Sequence, residues 1–116
     1  MKKLGLAILI VTLALPVCLF AHSPGDITLS YEKDEDREVL IISVAHSVRN
    51  VERHYVESIS ISVNDEELEV LTFSNQDTDD YQDVEYEVPG LSQGDVVEIK
   101  ASCNRIGSAT EEFVIE

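Results

Sequence analysis

Apolar and polar residues alternate with a period of two along most of the chain after residue 26, and this pattern restricts the fold more than any other feature of the sequence. Successive side chains of a β-strand point to opposite faces, so the alternation is typical of strands with one buried face. Turn-forming residues interrupt it repeatedly, and no helical period appears after residue 21. We predict seven strands, at residues 27–32, 37–46, 55–63, 67–73, 81–88, 95–103 and 108–115.

The number of strands and the spacing of the turns predict the architecture. Seven short strands of this kind favour an all-β fold, an immunoglobulin-like antiparallel β-sandwich. Asn64-Asp65 is typical of a two-residue hairpin turn. The chain has no internal repeat and no low-complexity linker, so we expect one domain. On the third strand, the alternation assigns to one face the side chains of Tyr55, Ile59, Ile61 and Val63.

The first 21 residues have the composition of a secretory signal peptide. Lys2 and Lys3 precede an apolar run over residues 4–17, and Ala21 is a small residue suited to cleavage. The run is too short to predict a membrane span. We therefore expect removal of residues 1–21 and an exported domain of residues 22–116, located in the periplasm or cell envelope without a membrane span. The alternative is a lipoprotein that carries its lipid on Cys18.

The net charge of the chain disfavours several classes of binding partner. All 23 acidic residues, but only six of the eight basic ones, follow residue 21, so the mature chain has a formal charge of −17. This excess opposes nucleic acid, anionic membranes and anionic substrates as partners. We expect the acidic runs at 34–36 and 77–80 to be solvated turns, because the second lacks the glycine and distal glutamate of a calcium loop. No phosphate-binding loop or serine-nucleophile motif is present.

The histidines and one cysteine indicate a metal site. After cleavage Cys103 is the single cysteine, so it cannot form an internal disulfide. His46 and Cys103 each end a predicted strand on its apolar face, and the loop that leads to His54 can fold over that end. His22 lies at the predicted cleavage site. Imidazole and thiolate are typical metal ligands. The alternative is a buried thiol with a solvent-facing loop histidine.

Four short segments resemble the iron-binding domain of the superoxide reductases, the neelaredoxin and desulfoferrodoxin family. That family has a His-x-Pro segment, a His-Pro segment, a His-Tyr-Ile segment and a Cys-Asn-x-His-Gly turn, in this order. The similarity covers nearly all of the mature chain, and the family fold is also an immunoglobulin-like sandwich. The matching segments are His22-Ser23-Pro24, His46-Ser47, His54-Tyr55-Val56 and Cys103-Asn104-Arg105-Ile106-Gly107.

The resemblance implies a metal and a ligand set. Family members hold ferrous iron with four histidines and an axial cysteine and reduce superoxide. The matching ligands here are His22, His46, His54 and Cys103. Ile106 replaces the fourth histidine, and Phe20-Ala21 replaces a Glu-Lys pair whose lysine attracts superoxide in the family. The resemblance thus predicts iron with an open coordination position, and it leaves enzymatic activity open.

Copper or zinc are alternative metals. Cleavage after Ala21 would make the α-amine of His22 a further nitrogen donor, and nitrogen donors suit copper as readily as iron. We expect a redox or metal-handling role, with a small inorganic ligand or a redox partner protein. The competing hypothesis is a metal-free interaction or carrier domain, because sulfur-oxidation carrier subunits have a similar sandwich with His-Pro and His-Ile segments.

Overall fold

A computed structural model describes residues 23–116, which form an antiparallel β-sandwich. The predicted signal peptide, Cys18 and His22 lie outside the described residues. No helix is present in residues 23–116, so none there is long and apolar enough to cross a membrane. The seven strands are β1 (Ile27–Lys33), β2 (Glu38–Ala45), β3 (Val56–Val63), β4 (Glu66–Thr72), β5 (Tyr81–Glu87), β6 (Val96–Cys103) and β7 (Ser108–Val114).

Two sheets face each other across one core. The three-stranded sheet has the order β1-β2-β5, and the four-stranded sheet has the order β4-β3-β6-β7. All neighbouring strands are antiparallel. In this order β2 and β6 are interior strands, each in a different sheet. Their inward faces meet through fully buried side chains that include Leu40, Ile42, Val44, Val97, Ile99 and Ala101. The alternation of β6 predicted its inward face, whereas Val39 and Ile41 make the opposite face of β2 apolar as well.

The third strand departs from the predicted register. A β-bulge between Val56 and Ser58 interrupts its pairing with β6. Val56 is therefore fully buried, whereas Tyr55 is only half-buried. The predicted placement of Tyr55 on the face of Ile59 and Ile61 is wrong, because a bulge inserts one extra residue and shifts the alternation.

The loops gather at two ends of the sandwich. The hairpin end comprises residues 33–38, 64–65 and 88–95, which are joined by bonds such as Asn64 N–H to the Val96 carbonyl, 2.9 Å. The histidine end comprises residues 23–25, 46–55, 73–80 and 103–107. There His46 N–H donates to the Asp80 carbonyl at 2.8 Å, and Asn104 N–H donates to the Tyr55 carbonyl at 3.0 Å.

Candidate metal centre

His46 lies one residue beyond β2, and the loop between β4 and β5 encloses it. Its side chain is 4 % exposed, and its backbone N–H is bonded to the Asp80 carbonyl. The neighbouring bonds from Val48 N–H to the Asp79 carbonyl, 2.8 Å, and from Gln76 N–H to the Val51 carbonyl, 3.0 Å, join the two loops. Backbone hydrogen bonds to the β4–β5 loop therefore fix the position of His46, although it lies in a loop.

Gln76 determines which nitrogen of His46 carries the proton. The amide nitrogen of Gln76 donates to the carbonyls of His46, 2.7 Å, and Thr78, 2.8 Å, and this identifies the other amide atom as oxygen. That oxygen accepts from Val56 N–H at 3.1 Å and lies 2.8 Å from His46 Nδ1. Because an oxygen acceptor requires a donor, Nδ1 carries the proton of the neutral imidazole, and Nε2 of that tautomer presents a lone pair.

His46 Nε2 is the one buried side-chain nitrogen or oxygen of residues 23–116 that lacks a hydrogen-bond partner. Buried polar atoms are paired in the great majority of cases, and an unpaired one costs about 1–3 kcal/mol. A histidine whose Nδ1–H is held by an oxygen acceptor, with Nε2 bearing a lone pair, has the arrangement found in metal-ligating histidines.

Asn104 brings His54 to Cys103. Its side-chain oxygen accepts from Tyr55 N–H at 3.0 Å, and its amide nitrogen donates to the Arg53 carbonyl at 3.1 Å. These bonds bracket His54 and attach it to the residue that follows Cys103. As a result His54 Nε2 lies 3.1 Å from Cys103 Sγ. Cys103 is 7 % exposed, which agrees with the buried-thiol alternative, but His54 is half-buried and contacts this thiol.

The three side chains converge as predicted and could together hold a metal ion. One donor atom from each of His46, His54 and Cys103 lies within 4.8 Å of the others, and the two imidazole rings meet edge to face with centroids 4.8 Å apart. Donors on one tetrahedral ion are roughly 3.3 to 3.6 Å apart, given bonds of about 2.0 Å to nitrogen and 2.3 Å to sulfur. No separation exceeds 4.8 Å, and His54 Nε2 already lies 3.1 Å from Cys103 Sγ, so shifts of roughly 1 Å would allow one ion to contact all three donors.

The turn after Cys103 shapes the surroundings of the sulfur. Arg105 N–H donates to Cys103 Sγ at 3.4 Å, and Cys103 N–H donates to the Gly107 carbonyl at 3.0 Å. Gly107 has a φ of +97°, and a Cβ there would lie 2.9 Å from the Cα of Ser23. Glycine is therefore required, both by its backbone conformation and by this close approach. Ile106 is 65 % exposed at the tip of the turn.

Sequence reasoning missed the two residues that organise the site. No role was assigned to Gln76 or to Asn104 from the sequence. Neither belongs to a sequence pattern that predicts its contacts, because each acts on residues far away in the chain. The neighbouring prediction for 77–80 agrees with the structure, where this run is exposed.

No protein-family model, no curated protein and no solved structure matches this chain. The resemblance to the superoxide reductases therefore rests on the short motifs alone.

Proposed function

We propose that this protein is a metal-binding β-sandwich domain whose ion is held by His46, His54 and Cys103. The observation that carries the proposal is the buried, unpartnered lone pair of His46 Nε2 close to a second imidazole and a thiol. If His46 had only a structural role, burial of Nε2 without a hydrogen-bond partner would destabilise the folded protein. A metal ion bound to Nε2 would offset it.

Iron is the metal we propose first, on the strength of the motif resemblance. Two imidazoles and one thiolate also suit zinc and copper, so the donor set itself does not exclude either. Three protein ligands leave at least one coordination position for a small inorganic ligand or a further donor. The thiolate, which also accepts the Arg105 N–H bond, would adjust the electronic properties of the ion. We propose a redox or metal-handling role for the domain, exported to the cell envelope.

His22 is proposed as a fourth donor. The residue that follows it, Ser23, packs against Gly107, whose carbonyl accepts the backbone N–H of Cys103. The described chain thus approaches this turn at Ser23, the residue that follows His22 in the sequence. A His22→Ala variant should bind metal more weakly than the native chain, whereas the cluster of three ligands should still take up the ion.

The second candidate is a metal-free carrier or interaction domain. The observation that favours it is the 3.1 Å contact between His54 Nε2 and Cys103 Sγ, because a thiol–imidazole hydrogen bond pairs these two groups without an ion. This candidate does not provide a partner for His46 Nε2.

Metal titration of the mature protein separates the two candidates. We expect metal-free protein to bind one equivalent of Fe²⁺, or of Co²⁺ as a spectroscopic substitute, with a thiolate-to-metal charge-transfer band on oxidation or on Co²⁺ binding. Cys103→Ser should abolish the band, while the control Ser102→Ala, on the same strand, should keep it. A protein that takes up none of Fe, Co, Cu or Zn and gains no thermal stability from them contradicts the proposal.

A further inference from the structure

A pocket of about 480 Å³ opens beside His54, and three of the four arginines of the chain line it. Its wall contains Arg49, Arg53 and Arg105 together with the polar side chains of Ser47 and Asn50. No carboxylate lines it, although the chain has 23 acidic residues. Positive charge is thus concentrated at one concave place on a strongly acidic protein.

These arginines are not neutralised by ion pairs. The one salt bridge among residues 23–116 joins Arg37 to Glu87, with Nε 3.1 Å from the carboxylate, at the other end of the molecule. Arg49, Arg53 and Arg105 are exposed and have no carboxylate of that region within ion-pair distance. Like charges repel when they are placed together, so three unpaired guanidinium groups in one wall favour a bound anion.

The backbone that positions the arginines is the backbone that positions the metal ligands. Arg53 N–H donates to the Asn50 carbonyl at 3.1 Å, and the Arg53 carbonyl accepts from the Asn104 side chain at 3.1 Å. Arg105 N–H is bonded to Cys103 Sγ. Two loops that are about 50 residues apart in the chain therefore bring their cationic side chains to the same pocket, in a relation to His54 that the hydrogen bonds hold in place.

We propose that this pocket binds a small inorganic oxyanion and holds it next to the metal centre. The guanidinium group is a planar fork of donors that matches anions with two or more oxygen atoms. No phenylalanine or tyrosine lines the pocket to stack on an organic ring. His54 belongs to both the pocket and the metal cluster, so an anion there lies beside the ion.

The proposal reverses the expectation drawn from net charge. A charge of −17 repels anions at long range, but salt screens that field beyond roughly 8 Å at physiological ionic strength. Among the described residues, the arginines are the only aspartate, glutamate, lysine or arginine side chains that line the pocket, so a ligand there meets positive charge. The position of the oxyanion next to the metal rests on the proposed function, whereas its binding to the arginines does not.

The test is a sulfate titration of the metal-free mature protein, followed by NMR of the backbone amides and the arginine Nε–H groups at constant ionic strength. We expect saturable shifts confined to residues 47–54 and 105. Arg53→Gln and Arg105→Gln should each weaken binding by about tenfold, since each removes charge-assisted hydrogen bonds. The matched control Arg37→Gln, which removes an arginine engaged by Glu87, should bind sulfate like the native chain.

Shifts that do not saturate, or an equal loss of affinity in Arg37→Gln, overturn the oxyanion pocket. Repeating the titration with Co²⁺-loaded protein should change the visible spectrum of the metal, and the change should be lost in Arg105→Gln. Sulfate binding that leaves this spectrum unaltered overturns the placement of the anion next to the ion. A protein that binds sulfate through its arginines but takes up no metal defeats the proposed function and leaves the pocket standing.

Discussion

The two ends of the sandwich differ in whether all of their buried polar groups are paired. At the hairpin end, the Asp34 carboxylate accepts from Asp36 N–H at 2.9 Å and from Arg37 N–H at 3.0 Å, and Asn64 accepts from Val96 N–H, 32 residues away. At the histidine end, Gln76 bonds to His46, 30 residues away, and Asn104 bonds to Tyr55, 49 residues away. Only the histidine end leaves a buried nitrogen without a partner among residues 23–116.

This difference indicates that the hairpin end contributes to stability, whereas the histidine end is arranged as a binding site. The hairpin end is complete within the described chain, so its bonds serve to close turns and align strands. The histidine end has a rigid, well-paired support around one unsatisfied atom, and such an arrangement is typical of sites that bind something. If this comparison is correct, metal and ligand effects should be confined to the histidine end, whereas changes at the hairpin end should alter stability alone.

Removal of the metal should have the largest effect. A ligand that binds only the folded state at a free concentration about 1,000 times its Kd stabilises that state by about 4 kcal/mol. We therefore expect a chelator to lower the melting temperature of the native protein and to leave that of metal-free Cys103→Ser unchanged. Thermal unfolding with and without chelator measures this.

Hydrogen exchange would show which end of the sandwich a bound metal affects. Hydrogen exchange at the Gln76 and Asn104 amides, where it occurs by local opening, should slow when metal binds. The reason is that a bound ion would hold the loops that contain these residues. Amides of Asn64 and Asp95 that exchange by local opening should not respond. An equal response at both ends would contradict the separation of their roles.

The two buried glutamines allow a matched test of how the hydrogen-bond partner of His46 affects metal affinity. Gln76 and Gln82 are 2 % and 3 % exposed, and both bond to loop backbone, but Gln76 also holds His46 Nδ1. Gln76→Ala should weaken metal binding about 10- to 100-fold, which is usual when the partner of a ligating histidine is lost. Gln82→Ala should destabilise the fold by a similar amount and keep the native affinity. Calorimetric metal titration combined with urea unfolding gives both quantities.

The Asn64-Asp65 turn tests the hairpin end. The backbone φ angles of 50° and 69° at these residues are those of a two-residue hairpin turn, and Asn64 bonds to Val96 N–H and to the Asp95 carboxylate, both at 3.0 Å. Asn64→Ala should lower the free energy of unfolding by about 1–2 kcal/mol. Asp65→Gly, which keeps those bonds and favours positive φ, should be nearly neutral. Metal affinity that changes in either variant would link the two ends.

The smallest effect is an acid-dependent loss of stability. The Asp36 and Arg37 backbone N–H groups lower the pKa of Asp34, the Tyr31 hydroxyl lowers the pKa of Glu38, and the Ser92 N–H lowers the pKa of Asp95. A lowered folded-state pKa means that the unfolded chain binds more protons, so this stability is present above the unfolded pKa values of 3.8 and 4.5 and is lost as the pH falls through the folded ones.

Urea unfolding of metal-free Cys103→Ser between about pH 5 and pH 2.5 isolates this loss from metal release. Asp34→Asn and Asp95→Asn should each reduce the dependence on pH. Asp79→Asn, which changes an exposed carboxylate of the histidine end, is the control. A flatter dependence in Asp79→Asn, equal to that in Asp34→Asn and Asp95→Asn, would show that acid acts elsewhere.

Most of the fold could be predicted because its causes are local. All seven strands occur where the alternation placed them, with ends that differ by at most one residue. The error at Tyr55 arose at a bulge, where an extra residue reverses the alternation without any signal in the neighbouring side chains. His46 was predicted inside a strand and lies just after one, which did not alter its face.

The candidate site was predictable only in part. The meeting of His46 with Cys103 followed from two strand ends on apolar faces, and the structure confirms it. Gln76 and the arginine pocket were not foreseen, because net charge averages over the surface and hides three cations that face one cavity. Loops whose position depends on long-range bonds carry little information about that position in their own sequence.

The sequence by itself determined the β architecture, the Asn64-Asp65 turn and the supply of metal-binding side chains, since period-two alternation and turn preferences act over a few residues. Only the tertiary structure decided that Gln76 would orient His46, that Asn104 would hold His54 against Cys103, and that Arg105 would join the arginines of a distant loop. Those contacts depend on the packing of two sheets and the closure of loops of 30 to 50 residues, which no local pattern encodes.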